Sequence, residues 1–325
     1  MRPILAALAA ALLLWNVGAC ARATPAARPP SQGPSAALGA RAAPLDSLQR
    51  AIEARVAALR ASMPTAVVAV SVRDLAPGGA SLDIGGDSVF HAASTMKLPV
   101  MIELFRGADS SGRGLDEEIL LTNRFTSVAD GSPYALDPAD DSDSAAYALV
   151  GRGVTVRELT RRMIVRSSNL ATNALIARAD PARTTATARA LGATRMVVRR
   201  GVEDNPAFRA GIINTTTAPD LAALLTALER GQAASAASTR AMLDILRAQE
   251  YNAEIPAGLP PGTPVAHKTG SITGVLHDAA LVYPGTRPTY VLVVLTRGVP
   301  DQEVARQVIV DVARLTHAAL APFAR

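Results

Sequence analysis

The sequence predicts an α/β fold of the α+β sandwich type. An antiparallel sheet drawn from both ends of the chain is flanked by helices and carries an inserted all-α lobe. Three observations predict it. A β-branched apolar run, TAVVAVSV, opens the globular part at 65–72, and three more strand-like runs close it at 265–272, 275–283 and 290–297. Between them lie four stretches with apolar residues at helical spacing, over 154–179, 182–191, 218–230 and 238–249. Helical stretches over 46–63 and 301–323 bracket the whole.

In chain order, residues 1–20 read as an export signal. Arg2 supplies the positive end, and the apolar run 4–15 is too short to span a bilayer comfortably. It closes on Val17-Gly18-Ala19-Cys20. Small residues before a cysteine suit an ordinary cleavage site, and they also resemble a bacterial lipobox, whose cysteine is lipidated. Cys20 is the only cysteine, so no disulfide forms within the chain, and the lipoprotein reading is preferred. The expectation is an exported, periplasmic protein held to a membrane through lipid on Cys20. Ala21 in place of Asp resembles the outer-membrane sorting pattern. Residues 21–44, rich in Ala, Pro, Arg, Gly and Ser, read as a flexible tether, which leaves 45–325 as one domain.

In that domain the helix over 46–63 rests on Leu48, Ile52, Val56 and Leu59. Gly and Pro pairs over 73–86 mark turns between short strands. Ser94 opens a helix to about 105, with Pro99 in its first turns, where proline costs least. Residues 106–153 carry two acidic clusters among Gly, Pro and Ser and read as loops on a cleft rim. Asp140-Asp141-Ser142-Asp143 lacks the glycine and distal glutamate of a calcium loop, so it reads as solvated. Thr215-Thr216-Thr217 offers N-cap hydroxyls to the helix that follows.

Basic residues exceed acidic ones by 33 to 28, but they are scattered and not interleaved with aromatics, which argues against nucleic-acid binding. Only Lys97 and Lys268 are lysines, the rest being arginines. An arginine stays charged at any working pH, whereas a buried lysine can lose its proton and act as a base. Lys97 ends Ser94-Thr95-Met96-Lys97 and Lys268 opens Lys268-Thr269-Gly270, with Ser167-Ser168-Asn169 between them. Ser94 and Lys97, three apart on a helix, share a face, and a serine nucleophile needs such a base. Ser167 can pass a proton to a leaving nitrogen, and Asn169 can hold an amide carbonyl and bond the lysine. Lys268 and Thr269 can hold a substrate carboxylate, and Gly270 leaves room along the strand. The N–H groups of Ser94 and Ser271 can form an oxyanion hole. His91 and His267 flank the motifs and read either as cleft-lining or, preferred, as packed or capping residues, and Asp278 reads as a strand-end anchor. The histidines form no metal-ligand pattern, and no metal or cofactor is expected.

With these motifs in this order, the chain resembles the penicillin-recognising serine acyl-enzymes, most closely the class A β-lactamases. The resemblance covers roughly 45–323. It implies the β-lactamase/DD-peptidase-like fold and a monomer that opens β-lactam rings through an acyl-enzyme on Ser94. It also implies that Lys97 activates Ser94, Ser167 protonates the lactam nitrogen, and Lys268 and Thr269 bind the carboxylate. The alternatives are a cell-wall peptidase or esterase of the same fold, acting on peptidoglycan-like substrates, and a penicillin-binding sensor that deacylates slowly. Two departures stand out. Ser168 replaces the usual Asp, which mostly supports local structure. The deacylating glutamate, four residues before an asparagine in the family, falls on Gly201 if that asparagine is Asn205. Glu203 is then either the base on a rebuilt loop or a surface residue.

Overall fold

The computed structural model describes residues 34–111, 114–285 and 287–320, so the export signal, with Cys20, lies outside the described residues. Helix α1 (Pro34–Ser62) begins inside the stretch read as a tether. Its alanines and arginines have high helix propensity, which the tether reading underweights. From Leu45 onward it packs on the domain through Leu48, Ile52, Val56 and Leu59. Strands β1 (Val67–Asp74) and β2 (Ser81–Ile84) follow, then the two-residue β3 (Phe90–His91) and a 3₁₀ turn, Ala93–Met96, leading into α2 (Lys97–Ser111).

The inserted lobe comes next. Its rim holds β4 (Glu118–Leu120), β5 (Phe125–Thr126), β6 (Pro133–Tyr134) and β7 (Gly153–Thr155), paired β4 with β7 and β5 with β6. The expected helix over 154–179 is two helices, α3 (Val156–Val165) and α4 (Asn169–Ala179), broken at Arg166-Ser167-Ser168. Then come α5 (Pro181–Ala190), the short α6 (Asn205–Arg209), β8 (Thr215–Thr216), α7 (Ala218–Glu229) and α8 (Ala236–Arg247). Thr217 caps α7 in a capping box with Asp220. The chain closes with β9 (Val265–Ile272), β10 (Val275–Val282), β11 (Tyr290–Arg297) and α9 (Gln302–Leu320).

The main sheet runs β2-β1-β11-β10-β9, antiparallel throughout, so the first and last strands meet at its centre, as the sequence predicts. Side chains alternate faces along each strand. Val68, Val70 and Val72 of β1, with Leu292 and Val294 of β11, pack on α1 and α9 residues such as Ile52, Ile309 and Val312. Ala69, Val291, Val293 and Leu295 face the other layer, with Met101, Leu159, Leu221 and Leu225. Each such buried aliphatic side chain contributes about 1.5–3 kcal/mol. Strand β9 is left at the edge, lying against the 3₁₀ turn that carries Ser94.

Candidate active site

Ser94 is half-buried in the 3₁₀ turn Ala93–Met96, three residues before Lys97, which opens α2. Ala93 before Ser94 has φ 46°, a left-handed conformation that a residue with a Cβ adopts only under constraint. The constraint is visible. The Ala93 N–H donates to His91 Nδ1 (3.0 Å), and the Ala92 N–H to Asn214 O (2.8 Å). His91 is held in turn: its carbonyl lies 3.0 Å from Nε2 of His277, which burial lowers to a pKa of about 4 and keeps neutral. Gly270 packs against this turn. A Cβ there would lie 3.1 Å from both the Ser94 and Thr95 backbone nitrogens, so any side chain would push β9 off the turn by a few tenths of an ångström.

Lys97 is fully buried. Its Nζ donates to Ser167 O (2.7 Å) and Asn169 Oδ1 (2.8 Å) and lies 3.2 Å from Ser167 Oγ. Lys268, also fully buried, donates to Thr269 O (2.8 Å) and Ser167 Oγ (3.1 Å). Ser167 therefore sits between the two amines, at φ 55°. The break at 166–168 places it there. A continuous helix would hold Ser167 in right-handed geometry, and Ser168 instead caps α4 by accepting from the Ala171 N–H (3.2 Å).

The cleft in front of these residues, about 330 Å³, is lined by Ser94, Asn169, Ser271 and Ile272 and by the loop 200–214. That loop is closed at its neck by Asn214, whose Oδ1 accepts from the Arg199 N–H (2.7 Å) and whose amide donates to Arg200 O (3.0 Å). Glu203 and Asn205 both line the cleft and are exposed. Asn173, one turn beyond Asn169 on α4, accepts from the Val202 N–H (2.7 Å) and donates to Val202 O (3.0 Å). It fills the space beside Gly201, where a Cβ would fall 2.2 Å from Asn173 Oδ1. A side chain in the slot assigned to a glutamate by counting would thus displace the Asn173 amide from Val202. Glu203, next after Val202, is itself left-handed, with φ 56°.

The model of the β-lactamase enzyme family matches residues 48–320. The chain belongs to that family. It is 28% identical to a β-lactamase of Streptomyces fradiae over 322 residues, 94% of each chain. Its fold matches that of a β-lactamase from Sphaerobacter thermophilus with a TM-score of 0.70, at 30% identity over 84% of this chain and 99% of that one. PBP-A matches with a TM-score of 0.69 at 28% identity, over 84% and 94%. The chain is thus a serine hydrolase of the β-lactamase type.

In this β-lactamase-family chain the two lysines are poised differently. Burial pushes the Lys97 amine well below its ordinary pKa, and the charge on Lys268 pushes it further, while Asp141 and Glu203 oppose. Burial also lowers Lys268, to about 7, with Asp278 and Glu254 favouring its charged form. A neutral Lys97 has two N–H bonds and one lone pair. Ser167 O and Asn169 Oδ1 can only accept, so they take both hydrogens and leave the lone pair for a hydroxyl.

Two expectations from the sequence do not hold. Asp141 and Asp143 are not solvated: they are 7% and 2% exposed. Their carboxylates bond the N-terminus of α4 and Arg162, because the break in the helix leaves N–H groups that need acceptors. Asp278 is not a strand-end anchor but lies within β10, fully buried, with Oδ1 3.0 Å from His267 Nδ1. Of the two alternatives for His91, the structure gives the cleft-lining one. The motif pattern does not mark Asn173 or Asn214. Asn173 stands four residues after Asn169 on one helix face, a spacing that could have found it.

Proposed function

We propose that the protein opens β-lactam rings by forming an acyl-enzyme on Ser94. The observation that carries this is the buried Lys97, three residues on from Ser94, with its Nζ bonded to Ser167 O and Asn169 Oδ1. Lys97 takes the Ser94 proton as Oγ attacks the lactam carbonyl. The N–H groups of Ser94 and Ser271 receive the developing oxyanion. Ser167, fed from the lysines on either side, protonates the departing ring nitrogen. Lys268 and Thr269 hold the carboxylate of the drug. A variant of PBP-A forms an acyl-enzyme complex with penicillin G, and it is 30% identical over 85% of this chain. Turnover of this kind would confer resistance on the cell that makes the protein.

Hydrolysis of the ester needs a base for water. Of the two carboxylates lining the cleft, Asp204 is engaged by the Ser127 hydroxyl and by the N–H groups of Val128 and Ala207. Glu203 is the base in this reading. A second reading, slow deacylation, is favoured by the lack of a carboxylate at Gly201 and the exposure of Glu203. Intact-protein mass against time after mixing with penicillin G separates the two. An adduct that maps to Ser94 and clears as product accumulates is expected, and Glu203→Gln should slow clearance about 10²- to 10⁴-fold with adduct formation unchanged. A persistent adduct gives the second reading, and both readings fall if there is neither an adduct on Ser94 nor product formation that Ser94→Ala abolishes.

Export and lipidation at Cys20 belong to the same proposal, supported by the sequence 17–20. Cys20→Ala should shift the protein from the membrane fraction to the soluble one. A wild-type protein found wholly soluble after export would remove the anchor.

A further inference from the structure

The acidic run 141–143 grips the break between α3 and α4. Asp141 Oδ2 accepts from the Leu170 N–H (2.9 Å) and the Tyr147 hydroxyl (3.1 Å), and its Oδ1 from the Asp143 N–H (3.0 Å). Both oxygens lie 3.0 Å from the Asn169 nitrogen. Ser142 Oγ donates to Arg166 O (2.9 Å) and lies 3.3 Å from Ser167 O. Asp143 pairs with Arg162 (2.9 Å) and Arg166 (3.5 Å). Both residues that present an acceptor to Lys97 are therefore held by this loop, and Asn169, which supplies Oδ1, hangs directly from Asp141.

We propose that Asp141 is a positioning residue for the reaction: it fixes Asn169 and the left-handed Ser167 on Lys97, supplying from a neighbouring loop the carboxylate that Ser168 does not carry. The geometry supports the exchange. Ser168 is fully buried at the N-cap of α4 with its hydroxyl already on a free N–H of the first turn, so a carboxylate at 168 would meet the same end of the helix. Asp141 also acts on Lys97 through space. The charges that bear on Lys97 are Lys268, which lowers its proton affinity, and Asp141 and Glu203, which raise it. Tyr147, on the 3₁₀ turn Ser144–Leu149, bonds Asp141, and burial and Asp141 raise its pKa, so it stays a neutral donor.

The inference rests on Ser94 and Lys97 as the acylating pair, and its test is separable from that reading. The first-order rate of acylation by penicillin G is measured against pH for the full chain. Asp141→Asn should lower the plateau roughly ten- to a hundredfold by loosening Asn169. It should also move the acid limb to lower pH, because Lys97 loses a neighbour that favours its charged form. Asp141→Asn combined with Ser168→Asp should recover most of the rate and return the limb towards the wild-type position. A folded Asp141→Asn protein with unchanged rate and limb overturns the inference. If that single variant does not fold, the double variant alone decides: a wild-type-like rate and limb support the proposal, and a folded protein with a lost rate and displaced limb overturns it. Failure of the wild type to acylate at all would instead sink the reading of Ser94.

Discussion

Lys97→Arg is expected to slow acylation of Ser94 by about 10²- to 10⁴-fold, the usual worth of a general base. Arginine keeps a cation where lysine stood, so a role limited to charge would survive the change. It does not give up a proton at any working pH and has no lone pair to offer. Burial of a permanent charge beside Lys268 adds a second penalty, since both sites are fully buried and share Ser167. Lys97→Met separates the two effects. It removes the base without adding a charge, so it should acylate as slowly as the arginine variant while folding better. The check is the rate of adduct formation by mass spectrometry, with melting temperature alongside. Acylation by Lys97→Met within tenfold of the wild-type rate would show that another group accepts the Ser94 proton.

The two lysines are legible in the sequence because their weight comes from residue identity alone. In a chain that otherwise uses arginine for positive charge they stand out, and the fold brings both to one serine. The strands are equally legible. Runs buried on both faces, such as β10 and β11, are apolar almost throughout and cannot be mistaken for loops.

The break at Ser167 is not legible along the chain, and its cause is tertiary. Met163 to Asn173 carries helical periodicity, and nothing local stops a helix there except Ser168. The chain breaks because Asp141 and Asp143 reach in from a loop to bond the exposed N–H groups and Arg162. In sequence those aspartates look solvated, since unpaired charge is seldom buried. The glutamate slot fails for a similar reason. Counting back from Asn205 locates Gly201, but whether a side chain fits is decided by Asn173 on another element.

The second large effect expected is a loss of kcat/KM for anionic β-lactams as pH rises through about 7. Lys268 is lowered to about 7 by burial, so in the free protein it is charged below that value and neutral above it. The carboxylate of the substrate needs the charged form. With one proton lost, about half the molecules are charged at pH 7 and about a hundredth at pH 9, so kcat/KM should drop about fiftyfold between them. A bound carboxylate favours the cation, so the alkaline limb of kcat should lie at higher pH than that of kcat/KM. Stability should move the other way. Between about 7 and the ordinary lysine value of 10.5 the unfolded chain holds a proton that folded Lys268 lacks, so unfolding becomes harder as pH rises across that window. Lys97, lowered in the same direction, adds to the trend. Falling activity with rising stability over one interval distinguishes titration at the site from alkaline unfolding, which would lower both. A β-lactam esterified at its carboxylate supplies the control. It has no charge for Lys268 to hold, so its profile should lose the alkaline limb near pH 7. An ester with the same limb as the free acid would take Lys268 out of carboxylate binding.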